Sequence, residues 1–222
     1  MAGGLVAVRA GDGDLIPYGA QAPRLVIDHM VYEQDQLVLE ECAAVDPLRP
    51  LARVTDIRGQ GTPLGGGPGG RAGLGGRGST AWQRGVLGTA ALLCGLSRRM
   101  LDMTVEYVKR REQYGVPVGS FQAVKHALAD ALVALEFARP AVLAAAWAHS
   151  VRAPDADTQT SAAKILASDA ARLVARTAIQ CHGAMGYTTE YDLHLFAKRV
   201  WALAPSWGTA DWHRAQIFRS FT

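Results

Sequence analysis

Cys42, Cys94 and Cys181 could pair, bind a metal or act as nucleophiles. Each of those uses has a characteristic spacing. Their number is odd, they lie far apart, and no C-x-x-C pair occurs. A disulfide framework and a structural zinc site are therefore not expected. The six histidines are equally dispersed. None belongs to an H-E-x-x-H or paired-ligand pattern, so no metal is expected. Gly73, Gly75 and Gly78 spell G-x-G-x-x-G, the pattern that lets a backbone approach a pyrophosphate. That fingerprint needs a strand directly before it and an acidic residue beyond it, and neither stands here. No G-K-[ST] occurs either, because Arg77 is followed by Gly78. Trp82, Trp147, Trp201, Trp207 and Trp212 read as core or interface anchors.

The elements around these residues fall into three stretches. Residues 1–58 read as short strands and turns, with Leu25–Ile27, Leu37–Leu39 and Val54–Ile57 as β-type runs. So few short strands have little core of their own. Residues 59–78 contain eleven glycines in twenty positions and read as a flexible linker. Residues 79–222 read as helical. Ser79 or Thr80 caps a helix to about Tyr114, whose apolar positions (Val86, Leu87, Leu93, Leu96, Met100, Met103, Tyr107) step by three and four. Gly85 and Gly88 within it imply close approach by another helix. Gly115 and Pro117 end it. A second helix starts near Ser120 with Phe121, Val124, Leu128, Leu132 and Leu135 on one face, and Pro140 is expected to kink it. Its stretch Ala131–Ala148 carries Glu136, Arg139 and Pro140, and reads as a buried helix rather than a membrane span. After VRAPDADT, with Asp155 or Asp157 as caps, a third helix carries Ile165, Leu166, Ala170, Leu173, Val174 and Ala178, and stops at Gly183 or Gly186. A short helix follows from about Asp192 to Leu203, and a last one after Gly208. At 1.5 Å per residue the three main helices would each span roughly 40–50 Å. Four or more helices with short connections favour an antiparallel bundle.

Composition bounds the partners. The 222 residues are 49% apolar and 19% charged, a globular balance with a formal net charge of +3. The small, scattered surplus gives no electrostatic footprint for nucleic acid. The start, MAGGLVAVRAGDGD, lacks the basic and apolar regions of a secretory signal, so a reducing, cytoplasmic setting is expected.

Two motif blocks go further. YVKRREQYGVPVGSFQAVKHALAD (Tyr107–Asp130) resembles the R-x-Q-[FY]-G…FQ block of acyl-CoA dehydrogenases. QCHGAMGYTTEYDLHLFAKR (Gln180–Arg199) resembles that family's Q-x-x-G-G-x-G-[YF]-[TN]-x-E block, with Ala184 in place of the second glycine. Residues 1–58 resemble the later strands of its middle β domain, best in IPYGAQAPRLVI. Its N-terminal helical domain and the front of the β domain have no counterpart here. The expected fold is thus mainly α: an antiparallel four-helix-type bundle preceded by a partial β domain. The resemblance implies FAD as cofactor, shared across a subunit interface. It assigns Arg111, Gln113, Tyr114, Phe121, Gln122, Gln180 and Gly183 to the pyrophosphate and adenosine end of an FAD held largely by a neighbouring chain. A guanidinium offers forked donors to phosphate oxygens, and a glycine turn lets the backbone come close.

The resemblance also exposes a departure. Members of the family remove an α-proton with a glutamate that stands in Y-E-G-T after the second block or near the start of the first long helix. Those positions match Trp207 and Gln83. Neither an indole nor an amide accepts a proton at neutral pH, so no catalytic residue is expected in this chain. Asp211 and His213 remain as displaced alternatives. His182 either adds charge near the pyrophosphate or is a neutral helix-end residue. Asp192 and His194 read as a cap and a surface imidazole, and His126 as structural. Keeping the half that serves a neighbour while losing its own half implies a larger partner subunit carrying the glutamate and most of the acyl-CoA site. The H-G-[GA]-x-G-[FY]-T-x-E-x-D-x-H-L form (His182–Leu195) resembles the branch found in bacterial α2β2 dehydrogenases. Two alternatives stay open: a non-catalytic structural or interaction subunit descended from the family, and a chain with a further half upstream.

Overall fold

The computed structural model describes residues 6–8, 15–28, 30–63 and 80–220. Two compact units result, Met1–Arg84 and Gly85–Thr222. In the first, the chain runs through β1 (Val6–Val8), β2 (Leu15–Pro17), β3 (Arg24–Ile27), β4 (Met30–Glu33), β5 (Leu37–Cys42), β6 (Leu51–Ile57) and β7 (Thr62–Pro63). One sheet has the order β1-β3-β4-β7 and the other β2-β6-β5. Pairing is antiparallel except between β1 and β3. The three expected strands are present. The others are two to four residues long, too short to show period-two alternation. Ala7, Ile16, Ala22, Leu25, Ile27, Tyr32 and Leu37 form a small core. Thr62–Pro63, inside the stretch read as linker, pairs with β4. Ser79 and the G-x-G-x-x-G match lie outside the described residues.

The second unit is the helical bundle. Its helices are α1 (Thr80–Arg110, the unit boundary falling in its first turns), α2 (Gln122–Ser150), α3 (Ala156–His182), α4 (Leu193–Leu203) and α5 (Ala210–Arg219). One continuous core joins Leu93 and Met100 of α1, Leu135 and Ala138 of α2, Ala167, Ala171 and Val174 of α3, and Ala197 and Val200 of α4. The many alanines on α3 present little side-chain bulk, which allows close helix packing.

Three expectations need correction. First, α1 ends at Arg110 rather than near Tyr114, because β8 (Glu112–Gln113) and β9 (Val116–Pro117) form a hairpin. Tyr114 and Gly115 have φ of 54° and 76°, the two positive values that a tight hairpin turn requires. Second, α2 is not wholly buried. Ala131, Leu135, Ala138, Val142, Ala145 and Ala148 face the core, while Val133, Phe137, Leu143 and Trp147 stay exposed. The helix continues through Pro140, which lies on the exposed side. Third, a Cβ on Gly85 would meet the Trp207 indole at 2.6 Å, whereas one on Gly88 would meet nothing within 4 Å. An aromatic ring, not a helix, uses the first gap. Among the caps, Asp155 stands at the N-terminus of α3 without a side-chain cap bond, whereas Thr209 accepts from the Trp212 N–H at the start of α5.

Candidate functional site

The two motif blocks meet in space. α1 delivers Tyr107, Arg111 follows directly after its last residue, β8 delivers Gln113, and the last turn of α3 delivers Gln180, Cys181 and His182. With Val118, Val124 and the turn Gly183–Met185 they line a groove of about 620 Å³. The α3 helix stops there because Gly183 takes φ 61°, ψ −135°, a conformation suited to glycine. Its N–H donates to the Gln180 carbonyl, and a Cβ at Gly183 would meet no atom within 4 Å. The space before that backbone is open. Gly186 is the opposite case: a Cβ there would lie 2.7 Å from the Ile179 carbonyl oxygen.

Of the seven residues expected at a nucleotide site, Arg111, Gln113, Gln180 and Gly183 share this groove. Tyr114, Phe121 and Gln122 do not line it. Tyr114 is 94% exposed at the hairpin turn, its ring edge-on to Phe121 with centroids 6.4 Å apart, and Gln122 is the exposed first residue of α2. Arg111 is exposed and forms no ion pair among the described residues. One guanidinium, two amides and an open glycine turn are a donor set that fits the diphosphate of a dinucleotide.

His182 is 3% exposed. Its ring stacks on Tyr107 with centroids 4.3 Å apart, and its Nδ1–H donates to the Ala178 carbonyl at 2.8 Å. Burial pushes its pKa below the usual histidine value, against the opposing effect of that hydrogen bond. Burial thus favours the neutral helix-end reading over a charge in the groove. His126 is exposed, and His194 is half-buried rather than a surface imidazole.

The positions matching the family's base sit elsewhere. Trp207 occupies the α4–α5 connection with φ 60°, its indole against Gly85. Gln83 is buried in the first turns of α1, and its Oε1 has no hydrogen-bond partner among the described residues. A cluster of which sequence reasoning singled out only His213 holds the Trp207 connection in place. Lys164 of α3 is 0% exposed and donates to the Ser168 hydroxyl at 3.1 Å and to the carbonyls of Ala204 at 2.7 Å and Gly208 at 3.2 Å. Burial, aided by Arg172, lowers its pKa to about 8. His213 is enclosed beside it. Its Nε2–H donates to the Trp207 carbonyl at 3.0 Å and its Nδ1 accepts from the Ser161 hydroxyl at 3.1 Å. Burial lowers the His213 pKa to about 4, with Lys164 contributing in the same direction. Both ring nitrogens are occupied, so His213 does not serve as the displaced base. Asp211 is exposed and paired with Arg214 at 2.7 Å. The one sequence signal for the cluster is a lysine inside the apolar run Ser161–Ser168.

Known proteins resemble this chain in sequence and in fold. Residues 78–222 match the family described as "Acyl-CoA dehydrogenase, C-terminal domain". The acyl-CoA dehydrogenase IpdE2 of Mycobacterium tuberculosis is 41% identical over 121 residues, which are 52% of this chain and 36% of that protein. The probable acyl-CoA dehydrogenase YngJ of Bacillus subtilis is 35% identical over 135 residues, 61% of this chain and 35% of that protein. The match thus spans about a third of the length of these curated relatives. Among solved structures, the ChsE4-ChsE5 complex from Mycobacterium tuberculosis contains a chain that aligns with a TM-score of 0.78 at 25% identity, covering 99% of this chain and 63% of that one. The two motif blocks, the helical bundle that brings them to one groove, and the match over residues 78–222 lead to one conclusion: the chain belongs to the acyl-CoA dehydrogenase family.

Proposed function

We propose that this chain is a subunit of a flavin-dependent acyl-CoA dehydrogenase that lends the pyrophosphate- and adenosine-binding half of an FAD site to a larger partner carrying the catalytic glutamate. The observation that carries this reading is the convergence of Arg111, Gln113, Gln180 and Gly183 on one groove, while Trp207 and Gln83 stand at the base positions. The family is flavin-dependent. When bound, FAD supplies the hydride acceptor for α,β-desaturation of an acyl thioester. The residues of this chain do the holding. Arg111 offsets phosphate charge, Gln113 and Gln180 offer amide donors, and Gly183 lets the backbone come near. Tyr114, Phe121 and Gln122 stand on the hairpin and the start of α2, where they extend the contact along the ligand or to the partner. The structural neighbour solved as a two-protein complex favours a partner subunit for this chain as well.

Co-expression with a full-length acyl-CoA dehydrogenase from the same genome tests the reading. The complex is expected to purify yellow and to desaturate an acyl-CoA, while the lone chain does neither. Arg111→Ala in the complex should lower flavin content at least tenfold, since a charge-assisted contact to a phosphate is lost. Unchanged flavin content in that variant, or turnover by the lone chain, would overturn the proposal. A second reading, a structural subunit without flavin, is favoured by the filled base positions, and a colourless complex would establish it.

A further inference from the structure

Two guanidiniums and an indole meet at a second concavity of the helical unit. Arg172 and Arg176 stand one turn apart on α3, and Trp201 stands on α4. With Asp169 they line a cavity of about 500 Å³. That volume is typical of small-molecule sites. The cavity shares no lining residue with the groove of Arg111. Both arginines are exposed, and neither forms an ion pair among the described residues. Trp201 is 44% exposed. Its ring stacks on no other ring, and its indole N–H donates to no acceptor, among the described residues.

The charge balance of this cavity is positive. Asp169 is the acidic residue in its lining, and Arg214 of α5 already engages it. Arg214 in turn also holds Asp211 at 2.7 Å. Like charges at positions i and i+4 of a helix repel, so the Arg172–Arg176 pair weakens α3 unless an anion lies between them. The Arg172 charge is also felt inside the protein. Burial first, and Arg172 next, bring the Lys164 pKa down to about 8. An anion seated on Arg172 and Arg176 would relieve both repulsions.

Shape and chemistry narrow the anion. The two arginines lie roughly 6 Å apart along the axis at 1.5 Å per residue. At that spacing two forked guanidiniums can close on one phosphate or on two joined ones. The exposed indole beside them is a stacking platform for a base. An inorganic phosphate would leave the ring unused, and an apolar ligand would leave the charges unused. A nucleoside phosphate uses both. The small lining leaves no wall for a long chain attached beyond the phosphates.

We propose that Arg172, Arg176 and Trp201 form a second binding site, for a free nucleoside phosphate, with the phosphates on the two arginines and the base on the indole. This site is independent of the flavin reading, because no residue of the Arg111 groove takes part. A nucleotide could occupy it while that groove is filled.

Titration of the full chain with ADP, read by tryptophan fluorescence, tests the site. ADP should quench part of the fluorescence saturably, and Trp201→Phe should remove that quench. Arg172→Ala with Arg176→Ala should raise the midpoint by roughly tenfold or more, two charge-assisted contacts being lost. Far-UV circular dichroism of that variant should be unchanged, since both side chains are exposed. Inorganic pyrophosphate, which lacks the ring, should displace ADP only at a concentration roughly fivefold or more above that of ADP itself. Coenzyme A, whose head is also an adenosine diphosphate, should bind no tighter than ADP. Arg111→Ala alters the other groove and should leave the Trp201 quench in place. Absence of a quench that depends on Trp201, a midpoint indifferent to the double alanine variant, pyrophosphate as effective as ADP, tighter binding of coenzyme A, or loss of the quench in Arg111→Ala would each overturn the proposal.

Discussion

Lys164 and His213 are titratable groups shut inside the helical unit, and both are pushed toward their neutral forms by burial. For His213 the folded pKa of about 4 lies below the ordinary 6.5. The unfolded chain therefore binds the proton first. Stability is fully present above pH 6.5 and is lost as pH falls from 6.5 toward 4. His213→Gln keeps a donor for the Trp207 carbonyl and removes the titration. Urea unfolding at pH 7 and pH 4.5 should show a smaller acid loss in the variant, by on the order of 2 kcal/mol. An equal loss in both proteins would refute the assignment. The residues that line the groove were legible at this scale because they sit in contiguous blocks of recognisable type. Lys164 was not, because the carbonyls that satisfy it lie 40 and 44 residues further along the chain.

At the scale of elements, glycine positions divide by what stands in front of them. Gly186→Ala would drive a Cβ into the Ile179 carbonyl oxygen at 2.7 Å, where only backbone could yield. A loss of about 1–3 kcal/mol is expected, read as a fall of several degrees in Tm. Gly88→Ala, at an exposed position of α1 with no atom in the way, should stabilise by about 0.5–1 kcal/mol. The opposite signs in one thermal-melt series are the check. Helix periodicity and helix start signals located the five helices among the described residues, and the stop signals located most ends. Periodicity placed the end of α1 too late, because the Tyr114–Gly115 turn depends on a cross-strand pairing that it does not report. It also took the apolar run of α2 as buried throughout. A helix apolar on two opposite faces and one wholly inside a core have much the same composition.

For the molecule as a whole, the main core joins residues between Ala90 and Leu203, all in the helical unit. A fragment of residues 80–222 is therefore expected to fold by itself and to melt cooperatively in far-UV circular dichroism. A broad, non-cooperative melt would contradict that. Residue order alone determined the family, the helical class, the two motif blocks and the absence of a carboxylate at the expected base positions. Those properties reside in side-chain identity and short-range spacing, which a sequence displays directly. Tertiary structure decided which of the seven candidate residues share a groove, that His182 is buried against Tyr107, that His213 is locked in hydrogen bonds, and that one side of α2 faces outward. Each of these depends on burial and on partners distant along the chain, and desolvation is a property of the packed surroundings rather than of the residue.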